Sequence, residues 1–322
     1  MDINFIPLLG SEIALSLYPQ LIKLIPTTIE VQVATRCIIY SILAIIGYYI
    51  TKNKSTISSS VTNTNTTTNT NTLSFISGIV MGIVNIIHII SSYVCFNSLS
   101  SGVSYSIFYI YPIFNLLGRT LFYGEKINSI NYIYIFISIL GVYLIYKNNT
   151  EHVPDTKIDK IDKIDTFQNE KHILNVNDIL NTKNTNIGII AGIFSALTES
   201  IIYFMVKDNA GSISPYIQLL KTYLLGGFLS IIYLAKNISF IDLDYNYWIT
   251  LILFNAIVGF MGYLLRFIMI SKLSTLLFNS LIFIGVIFSY IWGYLLSKEP
   301  ITYSNISGTL LILLSIFLIN KK

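Results

Sequence analysis

Five ionisable side chains lie where charge is expensive. Glu12, Arg36, Glu199, Lys221 and Arg266 each fall inside a long apolar block, and a charged group at the centre of a bilayer costs about 2.5–3.5 kcal/mol on insertion scales. Each half of the chain supplies an acid and then a base: Glu12 precedes Arg36, and Glu199 precedes Lys221. A buried cation can hold an anion, and a carboxylate beside it can take up or release a proton as that anion arrives.

The neighbours of these residues follow helical spacing. Asn255, Gly259, Gly262 and Arg266 recur at i, i+4, i+7 and i+11, which places them on one helix face. Asn85, His88 and Ser92 form a second polar stripe, and Gly188, Gly192, Ser195 and Glu199 a third; Gln218 and Lys221 also share a face. A structural role competes with a chemical one at every position. The glycines allow close helix packing, His88 fits a hydrogen-bonded core histidine, and Arg266 and Arg36 can snorkel to headgroups, Arg36 from about 9 Å below its interface. Glu12 and Glu199 are too short to reach water from mid-span, but can be held in fixed pairs with Arg36 and Lys221.

These residues are embedded in a chain that is 53% hydrophobic and only 11% charged, with a mean hydropathy of +0.67, which places it in a lipid bilayer. Ten apolar blocks of helix-spanning length are expected at about 3–25, 31–50, 73–97, 101–122, 128–146, 186–206, 213–235, 246–270, 273–296 and 301–319. Two polar stretches interrupt them: the low-complexity loop 51–72 and the linker 148–185, both expected to be solvated. The organisation is then a first five-helix unit (1–147), the linker (148–185) and a second five-helix unit (186–322). Cys37 and Cys95 lie in apolar blocks and read as packing. The N-terminus lacks a basic leader and reads as a span, not a signal peptide. No nucleophile elbow, zinc-ligand spacing, phosphate loop or hydrolase carboxylate pair appears, so neither enzyme activity nor a cofactor or metal is expected. Without a clustered basic stripe, nucleic acid is not an expected partner.

The second half repeats the first. At an offset of 299 − 125 = 174, Glu125 aligns with Glu299, Leu99 with Leu273, Ser100 with Ser274, Ser106 with Ser280, Ile127 with Ile301 and Asn131 with Asn305. Five spans per repeat is an odd number, so the two copies must have opposite orientation in the membrane. Glu125 and Glu299 each precede the last helix of a repeat, where free backbone N–H groups favour an anion, and they read as structural turn residues with a gate or proton carrier as the alternative. Lysines at 52, 54, 126, 207, 272, 321 and 322 against those at 23, 236 and 298 put both termini in the cytosol.

The segment PIFNLLGRTLFYGE (112–125) followed by Gly141, KEPITYSNISG (298–308), and GSEIALSLYPQLIKLIP (10–26) leading to Arg36 together resemble the drug/metabolite transporter superfamily, in particular its EamA-type members. The resemblance covers about nine tenths of the chain. It implies an all-α membrane protein of ten transmembrane helices in two inverted five-helix repeats. It departs from a symmetric pattern at Pro112, whose counterpart is Val286, so a helix break in the first repeat need not recur in the second. The implied function is secondary transport by alternating access. The residues favour a small polar, anionic metabolite such as an organic acid, amino acid or phosphorylated or nucleotide sugar, with Arg36, His88, Lys221 and Arg266 as its binding residues and Glu12 and Glu199 as proton-coupling groups. The alternatives are an efflux carrier for drugs or lipophilic cations, in which the acids matter, and a non-transporting membrane scaffold or receptor. Expected partners are the small-molecule substrate and the bilayer, with a homodimer as a further option.

Overall fold

The computed structural model describes residues 5–56, 69–124, 129–151, 170–209, 212–238, 241 and 243–320. They form fourteen α-helices and one π-helical segment: α1 (Ile6–Leu15), α2 (Tyr18–Leu24), α3 (Ile29–Thr56), α4 (Asn69–Ser98), α5 (Ser101–Phe108), α6 (Tyr111–Tyr123), α7 (Ser129–Glu151), α8 (Glu170–Asp208), α9 (Pro215–Asn237), α10 (Tyr245–Leu253), the π segment (Phe254–Phe260), α11 (Met261–Lys272), α12 (Thr275–Leu281), α13 (Ile284–Ser297) and α14 (Tyr303–Asn320). Seven helices or continuous helical runs are long and apolar enough to cross a bilayer, and Tyr303–Leu318 is a shorter apolar helix. The outward surface is apolar: Ile133, Phe136, Phe228 and Leu310 are among its many exposed large side chains, as a lipid-facing surface requires.

The remaining apolar blocks are broken helices. In the first, Pro19 lies in the opening turn of α2, and in the fourth Pro112 lies in the opening turn of α6; proline lacks the N–H that would continue the upstream ladder. The ninth block breaks as well, between α12 and α13, although no proline is present. Its break falls within one residue of the fourth at the repeat offset. The helices α5 and α12 start 275 − 101 = 174 residues apart, and α7 and α14 start 303 − 129 = 174 residues apart. Near the ninth break Gly285 gives the tyrosine-bearing fourth break room, since a Cβ there would lie 3.1 Å from both Tyr105 and Tyr109.

The main helix pairings include α3 with α9, α4 with α8, α7 with α14, α1 with α11 and α5 with α13. Numbered by apolar block these are 2·7, 3·6, 5·10, 1·8 and 4·9. Exchanging blocks 1–5 for 6–10 converts 3·6 into 8·1 and leaves the others unchanged, so the packing has an approximate two-fold pattern.

The polar stretches are shorter than the sequence suggests. Helix α3 runs on to Thr56, α4 starts at Asn69, and α8 starts at Glu170, so 170–185 of the expected solvated linker is helical. This run contains neither Gly nor Pro, and a helix already nucleated by the apolar 186–208 propagates into such residues cheaply. Residues 57–68 and 152–169 lie outside the described residues.

Candidate functional site

Arg266 does not snorkel. It projects from α11 into the protein, is 1% exposed, and meets both mid-span acids. Its Nε lies 3.3 Å from Glu12 Oε1 of α1, and its Nη2 lies 3.2 Å from Glu199 Oε1 of α8. Nη2 also donates to the Tyr111 hydroxyl at 2.9 Å, and the Tyr109 hydroxyl donates to Glu12 Oε2. The break between α5 and α6 places these tyrosines. The Glu12–Arg266 pair is held by charge more than by alignment, because neither Glu12 Oε1 nor Arg266 Nε has a hydrogen-bond partner. One guanidinium thus serves two buried carboxylates.

The cluster continues to His88 on α4. Its Nε2 faces Glu199 Oε2 at 3.4 Å, and its Nδ1 faces the Ser195 carbonyl at 3.2 Å. The Thr198 and Ser195 hydroxyls lie 3.3 and 3.5 Å from the same nitrogen, so Nδ1 has a partner in either tautomer. When Nδ1 carries the hydrogen, Nε2 of the neutral ring turns a lone pair toward a carboxylate oxygen. That contact is favourable only when a proton resides on the imidazole or on Glu199.

Arg36 on α3 is equally buried, at 1% exposure, but its setting is different. It has no ion-pair partner among the described residues. Five tyrosines enclose it instead: the guanidinium carbon lies 4.7 Å from the ring centres of Tyr18 and Tyr263, 5.3 Å from Tyr40, 5.7 Å from Tyr93 and 5.8 Å from Tyr223. Electron-rich ring faces stabilise a cation without neutralising it. Nη2 donates to the Tyr223 hydroxyl at 3.0 Å, while Nε has no hydrogen-bond partner. The π segment closes the cage from α10–α11: Tyr18 donates to Asn255 Oδ1 at 3.0 Å, and Gly259 leaves room for the hydroxyls of Tyr18 and Tyr40. Such widened turns commonly re-aim side chains at functional sites.

Between the two arginines lies a cavity of about 10 Å³, lined by Leu15, Tyr18, Arg36, His88, Ser92, Phe96, Tyr105, Phe108, Tyr263 and Arg266. It holds about one water. Every polar side chain in this wall can donate a hydrogen bond and none is a carboxylate; Glu12 and Glu199 stand behind Arg266 and His88.

Four of the expected substrate and proton residues therefore meet in one cluster, and Arg36 faces the same cavity. Lys221 does not join them. The acid partner expected for it, Glu199, pairs with Arg266 and His88, whereas Lys221 is half-buried with its Cγ 3.7 Å from where a Cβ on Gly78 would lie. Gly78 is ten residues along α4 from His88, or about 15 Å by helical rise, too far for the lysine to bridge. Glu299 is not a helix-start residue either: α14 begins at Tyr303, and the carboxylate reaches across to α2 and α5. Glu125 lies outside the described residues. The tyrosine cage escaped sequence reasoning because 23 tyrosines spread along the chain single out no site. The usable signal was Tyr40, one helical turn after Arg36, and Tyr263, one turn before Arg266.

Comparison with known proteins adds three findings. The sequence profile of the EamA-like transporter family matches residues 5–147 and 186–321. A solved crystal structure shares the fold, with a TM-score of 0.53 over 96% of each chain at 12% identity. No curated protein matches the chain significantly. With matches over both halves, and with apolar helices of membrane-spanning length, the chain is a multi-pass membrane protein that belongs to the EamA-like transporter family.

Proposed function

We propose that the protein is a secondary carrier that moves a small anionic metabolite by alternating access, with proton movement through the Glu12–Arg266–Glu199–His88 cluster. The observation that carries this reading is a cavity wall that holds two buried arginines and no carboxylate. Arg36 is the anion receptor, because Arg266 is already matched by two carboxylates and Arg36 by none. Arg266, flanking the other side, loosens its hold on Glu199 as the substrate's negative charge approaches, and the freed carboxylate accepts the proton it shares with His88. Substrate charge and proton then cross together, with the termini on the cytosolic side and the two five-helix units as inverted halves. The 174-residue register of the helix breaks and the two-fold pairing pattern support that organisation.

The cavity admits about one water, so this conformation is closed. Lys221, nearer the membrane edge, has no place in the closed site. A carrier of lipophilic cations would need an available carboxylate at the cavity wall, and both candidates are engaged behind it.

Counterflow in proteoliposomes tests the reading. Vesicles preloaded with unlabelled carboxylates, phosphate esters or organic amines are presented with the same compound in labelled form. Accumulation of carboxylates or phosphate esters, but not amines, is expected; accumulation of amines alone, or of nothing across the panel, contradicts it.

A further inference from the structure

One charged network lies away from the cavity, and none of its residues is in the cavity wall. Lys23 of α2 forms an ion pair with Glu299 Oε1 at 2.5 Å, and the Ser101 backbone N–H at the start of α5 donates to Glu299 Oε2 at 2.7 Å. Gln20 donates to Glu299 Oε1 at 3.1 Å and also bonds Ser101 and Ser297. Below it, Ser289 of α13 donates to the Ser101 carbonyl at 2.8 Å, and Trp292 donates to Ser16 at 3.1 Å.

The network joins three pieces of chain remote in sequence: α2, the start of α5, and the turn between α13 and α14. All three are at the end of the bundle that carries the loops before α3, between α4 and α5, and before α14. Ser101 is four residues, about 6 Å of helical rise, from Tyr105 in the cavity wall, so the network lies between the substrate cavity and that face of the membrane. The opposite end is tied differently. There Ser200 donates to Asn115 at 2.7 Å, Tyr203 to Thr275 at 2.8 Å, and Lys207 to the carbonyls of Ile270 and Leu273 at 2.8 Å each.

We infer that Lys23, Glu299 and the Ser101 amide are the gate that shuts this end of the pathway, and that opening toward this face breaks their contact. The inference rests on the carrier reading above. Three features suit a gate better than a fixed brace. The ion pair is not sealed, with side chains 20% and 14% accessible, so water can reach both charges as they part. The buried acids on Arg266 have no such freedom. The residues on either side of the contact belong to broken helices or turns, which can pivot without unwinding a long span. Finally, the fold reserves space for the carboxylate: a Cβ on Gly293 would collide with Glu299 Oε2 and lie 3.3 Å from Ser101 Cβ.

Thiol accessibility tests the gate without needing the substrate. A cysteine replaces the cavity residue Ser92 in a Cys37→Ser, Cys95→Ala background. A membrane-impermeant methanethiosulfonate reagent is then applied from the Lys23 face of oriented vesicles. Lys23→Met and Glu299→Gln should each raise the labelling rate about tenfold from that face only, and together no further than Glu299→Gln alone. Glu299→Ala, which also strands the Ser101 amide, should raise it more. Gly293→Ala, which keeps both charges but displaces the carboxylate, should act like Glu299→Gln and carries the test if the charge variants fail to fold. Wild-type labelling rates in the folded variants, or equal acceleration from both faces, would overturn the gate and leave the carrier untouched; absence of counterflow would overturn the carrier.

Discussion

Arg266 and Arg36 are both buried, yet removing them should have different consequences. Arg266→Gln leaves Glu12 and Glu199 uncompensated in the membrane interior, and breaking a buried pair by one partner typically costs about 3–5 kcal/mol. Denaturant unfolding in detergent should show a loss of that size, and adding Glu12→Gln and Glu199→Gln to the same chain should recover most of it. A neutral Arg266→Gln would mean the acids are held uncharged. Arg36→Met strands no carboxylate and loses only tyrosine contacts worth about 0.5–2 kcal/mol, so it should fold and should lose anion transport. The charges were legible in the sequence because each stands alone in an apolar block. Their partners were not. Arg266 joins Glu12 across 254 positions (266 − 12) and the chain order of acid then base suggested the wrong pairing.

At the scale of elements, the crossing of α7 and α14 is set by backbone touching backbone. A Cβ on Gly141 would lie 2.6 Å from the Gly308 carbonyl, and one on Gly308 would lie 2.6 Å from the Gly141 carbonyl. A carbonyl fixed in a helix cannot swing aside, so Gly141→Ala or Gly308→Ala should force the helices apart and destabilise by about 1–3 kcal/mol, measurable as a lower unfolding temperature in detergent. The double variant should not be additive, since one separation relieves both clashes. At the end of α13, Lys298 adopts φ 53°, a left-handed conformation that favours glycine. Lys298→Gly should therefore raise the unfolding temperature without changing transport; a fall would show that the lysine's other contacts outweigh its backbone strain. Helix positions were readable from the apolar blocks, and Pro112 announced the break between α5 and α6. The matching break at Ile282–Phe283 carries no proline, and the packing of Gly285 beside it against Tyr105 and Tyr109 exists only in the assembled bundle.

At the scale of the molecule, the approximate two-fold pairing places one broken helix from each repeat beside the other, α5 with α13, and brings α1 against α11 at the charged cluster. The two arginines are thus held by elements from both halves, so a relative movement of the halves must alter the spacing around the cavity. Family and membrane location were visible in the sequence, because composition and spacing survive without coordinates. The division of labour between a cation matched by acids and a cation matched only by tyrosines was not, because it depends on which faces meet. That division is the central claim, and the measurement that addresses it most directly is the initial uptake rate of the best anion from the counterflow panel, with and without an imposed proton gradient. Wild-type protein, Arg36→Gln and Glu199→Gln are compared in vesicles after size-exclusion chromatography shows each to be folded. The account predicts that acidifying the side of entry accelerates wild-type uptake, that Glu199→Gln keeps exchange but loses that acceleration, and that Arg36→Gln reduces anion uptake at least tenfold at every pH. Wild-type rates and an unchanged gradient response in both folded variants would contradict it.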